Sequence, residues 1–121
     1  MVIPDTSIWI EFFKQNHQIT PLFQSLLKNR EVATIESIFA ELVFGVRNAS
    51  ERDIVIGYWE ILPKLQISLI EAAEYAHSNN YYNLGVGLID ASIIKPTIDN
   101  NFKLWTLDKR ISRVVADKYL F

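Results

Sequence analysis

The chain opens on an apolar run that stops at a carboxylate: Met1, Val2, Ile3 and Pro4 lead directly into Asp5, Thr6 and Ser7. Val2 and Ile3 favour a buried strand, Ile8, Trp9 and Phe12 supply the apolar side of a following helix, and Thr6 or Ser7 can cap that helix. Pro4 has no ladder donor, so it is tolerable only as the strand's last residue. Asp5 therefore falls at a strand-to-helix junction. In an open α/β sheet the carboxyl ends of the strands border the ligand crevice, where an acid can face a metal or a phosphate. An Asp before a helix is also an ordinary cap that satisfies free backbone N–H groups, and on position alone both readings stand.

The alternation continues along the chain. Thr20 and Pro21 read as a cap and first helical residue, with Leu22, Phe23, Leu26 and Leu27 on one face and an end near Asn29. Val32 to Ile35 is a short strand. Ser37 can cap a helix carrying Ile38, Phe39, Leu42 and Val43, with Glu41 in its second turn. Ser50 with Asp53 suggests a capping box for a helix that reaches Leu62 before Pro63, and Leu65 to Ser68 reads as the next strand. Ser68 with Glu71 starts a helix that ends at Asn79 and Asn80. Tyr81 to Gly87 is a glycine-punctuated loop leading into a helix with Asp90 in its first turn. Phe102 to Thr106 alternates as a strand, Asp108 closes it, and Ile111, Val114 and Val115 mark a last helix. Strands alternating with helices predict right-handed crossovers. The expected architecture is one α/β domain over residues 1–121, a mostly parallel twisted sheet of about five strands sandwiched by helices.

Half of the 121 residues are apolar, enough for one core and too few for two ordinary domains. No window reaches the roughly 18 consecutive apolar residues that span a bilayer, and no basic leader precedes the first apolar stretch, so no membrane association is expected. The absence of cysteine excludes a disulfide framework, a zinc ribbon and a thiol nucleophile, and fits a cytoplasmic location. A net charge of −2 argues against a broad basic surface for nucleic acid. It leaves room for carboxylates that hold divalent cations, become locally positive and attract phosphate.

A parallel sheet would gather Asp5 and Asp108 at one edge, and Glu41 and Asp90 can reach that edge from flanking helices. Carboxylates that converge repel one another unless a cation is bound. An all-oxygen donor set, with only His17 and His77 as imidazoles, suits Mg2+ or Mn2+ rather than zinc. Such a site serves phosphodiester hydrolysis, the ion making hydroxide from bound water and neutralising the phosphate. Against this, the chain has fourteen acids, Glu41 can point to solvent, and Asp90 can simply be favoured by the helix dipole.

Taken together, the opening Val2-Ile3-Pro4-Asp5-Thr6-Ser7, the helix from Ser37 through Glu41 to Gly45, Ile89-Asp90-Ala91 and Thr106-Leu107-Asp108-Lys109 resemble a PIN-domain nuclease over essentially the whole chain. The length and the opening resemble, more narrowly, the VapC toxins of toxin–antitoxin pairs. That resemblance implies a metal-dependent endoribonuclease in which Asp5 and Asp90 bind the principal Mg2+ (or Mn2+), Glu41 completes the shell directly or through water, and Asp108 completes the site. No protein nucleophile is then required. Thr6, Ser7 and Thr106 would hydrogen-bond ligands or a metal-bound water, or act as caps. Lys109 and Arg110, with Arg113, Lys14 and Arg47, would border the cleft as phosphate contacts, or form a solvated charged face. Tyr81 and Tyr82 would stack on single-stranded bases or pack on the core. The resemblance further implies a homodimer and a separate VapB-like antitoxin that packs on helices near the site. Lys95 and Pro96 depart from the family's alanine-rich helix, and Asn101 stands where the family has glycine. Pro96 predicts a kinked or shortened helix, and Asn101 a left-handed cap. With the acidic surface, Pro96 also motivates the alternative of a catalytically inactive PIN scaffold that binds RNA or protein.

Overall fold

A computed structural model describes residues 1–121. In chain order the elements are β1 (Val2–Pro4), α1 (Thr6–Phe13), α2 (Thr20–Lys28), β2 (Thr34–Ile35), α3 (Glu36–Phe44), α4 (Ala49–Ile61), β3 (Lys64–Leu65), α5 (Leu69–Ser78), α6 (Leu88–Asp99), β4 (Lys103–Trp105) and α7 (Lys109–Val114). Single 3-10 turns cover Tyr82–Leu84 and Asp117–Tyr119. The strands are short and all pairings are parallel, as helical crossovers require. β1 pairs with β4 in the register Val2 to Lys103, Ile3 to Leu104 and Pro4 to Trp105, and β2 pairs with β3. A bridge between Val2 and Val32 joins these two ladders, and Leu120 adds a further bridge beside Leu104. The predicted five-stranded layer is thus two two-stranded ladders extended by single bridges. Pro4 ends its strand, where the missing donor does no harm. No helix is long and apolar enough to cross a membrane.

The core is organised by Trp9 of α1. Its indole is fully buried and lies 4.7–5.9 Å, centroid to centroid, from Phe12, Phe13, Phe23, Phe39 and Tyr58. Four of those five contacts are edge-on, the arrangement the ring quadrupoles favour. On the other side of α3, the buried Ser92 hydroxyl of α6 reaches Ser37 at 2.9 Å, pinning the two helices that carry Glu41 and Asp90.

Several expected helix starts are displaced. Asp5 rather than Thr6 or Ser7 caps α1, accepting from the Ile8 N–H, because it alone keeps the extended backbone of the strand. Thr20 lies inside α2 with its hydroxyl buried and unpartnered, Ser37 lies inside α3, and Asn48 rather than Ser50 caps α4. Ser68 caps α5 as expected. The strand expected over Leu65 to Ser68 stops at Leu65. Pro96 neither ends nor shortens α6, which runs on to Asp99. There the Thr97 hydroxyl donates to the Ile93 carbonyl at 2.7 Å, and Asn101 takes the left-handed conformation at φ 56°, closing the helix end.

Thr34 is a local weak point. It is fully buried in β2 and its hydroxyl has no partner. Thr34→Val removes an unsatisfied hydroxyl while keeping the branched shape, and is expected to stabilise the fold by about 1 kcal/mol. Calorimetry should read a melting midpoint higher by about 3–5 °C; a lower midpoint would mean that the hydroxyl is satisfied.

Candidate active site

The strand-to-helix turn after β1 and the loop after β4 lie side by side because their strands are neighbours, and the ladder's last rung is the Asp5 N–H donating to the Trp105 carbonyl at 2.9 Å. Asp5 is buried, with 4% of its surface exposed. Its carboxylate accepts from the Ser7 hydroxyl at 2.5 Å, from the Ile8 N–H at 3.3 Å and from the Thr106 hydroxyl. Both hydroxyls are themselves held by the β4 loop: the Leu107 N–H donates to Ser7 at 3.2 Å and the Asp108 N–H to Thr106 at 2.9 Å. Two hydroxyls thus converge on one carboxylate, that of Thr106 from 101 positions along the chain. Burial pushes the Asp5 carboxyl above its ordinary value, and the donated hydrogen bonds pull partly against that. No basic side chain pairs with it, so its charge is met by dipoles alone.

The other three acids stand around this point. Glu41 projects from α3 and accepts from the Thr6 hydroxyl at 2.7 Å, a contact between residues 35 positions apart. Asp108 caps α7, accepting from the Arg110 N–H at 2.9 Å, and its carboxylate is paired with the Arg110 guanidinium at 3.1 Å. That guanidinium holds the Asp108 carboxyl below its usual value. Asp90 lies in the first turn of α6, where the helix dipole favours an acid, and its carboxylate also accepts from the Gly87 N–H at 3.0 Å. Its charge is felt by Arg110. Asp5, Glu41 and Asp108 therefore share one rim, tied through Thr6, Ser7 and Thr106, with Asp90 on the first turn of α6, yet no three carboxylate or imidazole groups are close enough together to hold a metal ion as they stand.

The donor chemistry fits a hard cation all the same. All four acids offer oxygen, and the buried Asp5 carboxylate has no cationic partner. Asp5, Asp90, Glu41 and Asp108 are the residues that would hold such an ion. Of the basic residues, Arg110 faces the acids, Lys109 and Arg113 are exposed and make no ion pair, and Lys14 and Arg47 line a groove that reaches Glu41. Tyr81 is buried and contacts Tyr75, whereas Tyr82 is 94% exposed. Sequence reasoning missed the Ser92 to Ser37 contact and the Arg110 to Asp108 pair. A serine on the apolar side of α6 was the only signal for the first; the i, i+2 spacing across a helix cap was the signal for the second.

Compared with known proteins, the chain matches the PIN domain model over residues 2–117. No curated protein matches it significantly. Among solved structures it is similar to a chain in the crystal structure of VapBC2 from Rickettsia felis bound to a DNA fragment from their promoter, at 19% identity and a TM-score of 0.74, covering 99% of this chain and 96% of that one. It is also similar to a chain of FitAcB from Neisseria gonorrhoeae, at 15% identity and a TM-score of 0.64, covering 94% of this chain and 92% of that one. At those identities the likeness is one of fold.

Proposed function

The chain belongs to the PIN-domain family, and from that premise we propose that it is a cytoplasmic, metal-dependent endoribonuclease, the toxin of a toxin–antitoxin pair, with residues 1–121 acting as one domain. The observation that carries the reading is the Asp5 carboxylate, buried without a basic partner and clipped by hydroxyls to the loop that carries Asp108. A structural cap does not need that burial, whereas a ligand that must stay fixed does. In this reading Asp5 and Asp90 would hold the principal Mg2+ or Mn2+, with Glu41 and Asp108 completing the set, and a bound ion would supply water activation and charge neutralisation at the phosphate. Thr6, Ser7 and Thr106 orient the carboxylates, and Lys109 and Arg110 contact RNA phosphates.

The groove between α1, α3 and α4 supports the antitoxin part of the reading. It encloses about 560 Å³, has Ile10, Phe13, Leu42, Val46 and Ile54 on its walls, and runs up to Glu41, so an apolar segment laid in it would also close the site. A homodimer belongs to the same reading, and Ile61, Leu69 and Ile70 leave apolar surface available for one. A second reading, an inactive scaffold, draws on the spacing of the four acids, which are too far apart to form a ready ion site.

One experiment separates them. The antitoxin-free protein is titrated with Mg2+ or Mn2+ against a mixed RNA pool, beside Asp90→Asn. Cleavage is expected only with metal, to stop on chelation, and to fall at least about a hundredfold in the variant while its melting curve stays close to the parent's. A folded parent that binds metal and never cuts would favour the scaffold.

A further inference from the structure

A guanidinium already sits on the acidic rim. The Nη2 of Arg110 lies 3.1 Å from the Asp108 carboxylate and its Nε 3.4 Å from the other oxygen, while its backbone N–H donates to the same group at 2.9 Å. The aliphatic stem passes Gly85, whose φ of +75° suits glycine and whose added Cβ would stand 3.7 Å from the Arg110 Cδ. The side chain is 62% exposed, so the stem has a wall to lean on and the head is free to turn outward.

We propose that Arg110 is the site's resident counter-ion, held on Asp108 until a divalent cation takes that carboxylate and then released to meet a phosphate of the incoming RNA. The inference rests on the metal-dependent ribonuclease reading and makes the phosphate contact assigned there to Arg110 dependent on the metal. Two cations in contact with one carboxylate repel, so the ion and the guanidinium compete for Asp108. Arginine suits both partners, because its planar fork matches carboxylate and phosphate alike. The exchange makes metal and RNA binding cooperative. Metal frees the guanidinium for phosphate, phosphate draws it from Asp108, and each must raise the affinity of the other by the same factor. Arg113 carries the same charge on the same helix without an ion pair, which makes it an internal control.

The test is a calorimetric titration of the full RNA-free chain with Mn2+. Arg110→Ala is expected to bind Mn2+ about fivefold more tightly than the parent, the upper end for an exposed ion pair. Arg113→Ala should change it by less than about twofold, and Arg110→Lys, which keeps the charge and loses the fork, should fall between. Adding a short 2′-O-methyl oligoribonucleotide, which cannot be cut, should tighten Mn2+ binding in the parent and do so less in Arg110→Ala. If Arg110→Ala binds no more tightly than Arg113→Ala, or more weakly than the parent, the counter-ion role is overturned and the ribonuclease reading stands. A folded parent that binds no Mn2+ overturns both.

Discussion

Asp5→Asn is expected to lower metal-dependent RNA cleavage by at least about a thousandfold while leaving the chain folded, with stability within about 1 kcal/mol of the parent. The two effects part company because the carboxylate's charge has different consequences for activity and for the fold. For the proposed chemistry the charge is indispensable, since a neutral amide is a poor ligand for a hard cation. For the fold, a buried charge without a basic partner carries a desolvation penalty that an amide largely escapes. Opposing that gain, Asn keeps one acceptor oxygen where Asp had two, and its NH2 must face one of the hydroxyls of Ser7 and Thr106. Either hydroxyl can rotate to accept, so the clip survives with weaker hydrogen bonds. Thermal melting beside an RNA cleavage assay reads both quantities. A folded variant that still cuts near the parental rate would reduce Asp5 to a helix cap; one that unfolds would make its charge part of the fold.

The largest loss of stability is expected from Trp9→Ala, at about 3–5 kcal/mol. Phe12, Phe13, Phe23, Phe39 and Tyr58 all lean on this one indole, drawing α1, α2, α3 and α4 together, so truncation leaves a cavity that no single side chain can fill. A small offset comes from the indole N–H, buried without a partner, whose removal relieves an unsatisfied donor. Trp9→Phe, which keeps most of the ring and drops that donor, should therefore lose far less, about 1–2 kcal/mol. Against a total of about 5–15 kcal/mol for an ordinary domain, the alanine variant stands near the edge of folding. Denaturant midpoints at an unchanged slope would measure both variants. A loss under about 1 kcal/mol for alanine would show that the aromatic cluster does not hold the helices together.

The alternation of strands and helices was legible because hydrophobic period and turn residues are local signals, and they located β1, α3, α6 and β4 well. Caps were less legible. Asp5, Thr6 and Ser7 are all good cap residues in a row, and only the strand pairing to β4 decides that the first of them keeps extended backbone. Asn48 displaced Ser50 for a similar reason, since both can cap and the choice depends on where the turn after Gly45 delivers the chain. Pro96 misled because the steric rule considers the helix alone. In the fold the ring is buried and the neighbouring Thr97 hydroxyl takes a carbonyl of the preceding turn. The identities of the four acids were readable from motif order, but their linkage through Thr6, Thr106 and Arg110 spans residues 2, 35 and 101 positions apart, which only the fold determines.

The pairing of β1 with β4 also sets a clock. Asp5 acquires its Thr106 partner only after the intervening 101 positions have been synthesised, which at about 5–20 residues per second takes roughly 5–20 s. Until β4 has left the ribosome, the first strand has no neighbour there and the two halves of the rim are not yet in the same place. A nascent chain that has not yet extruded β4 therefore lacks the Thr106 half of the Asp5 clip. Any ligand that needs both Asp5 and Thr106 finds its site only from that moment on.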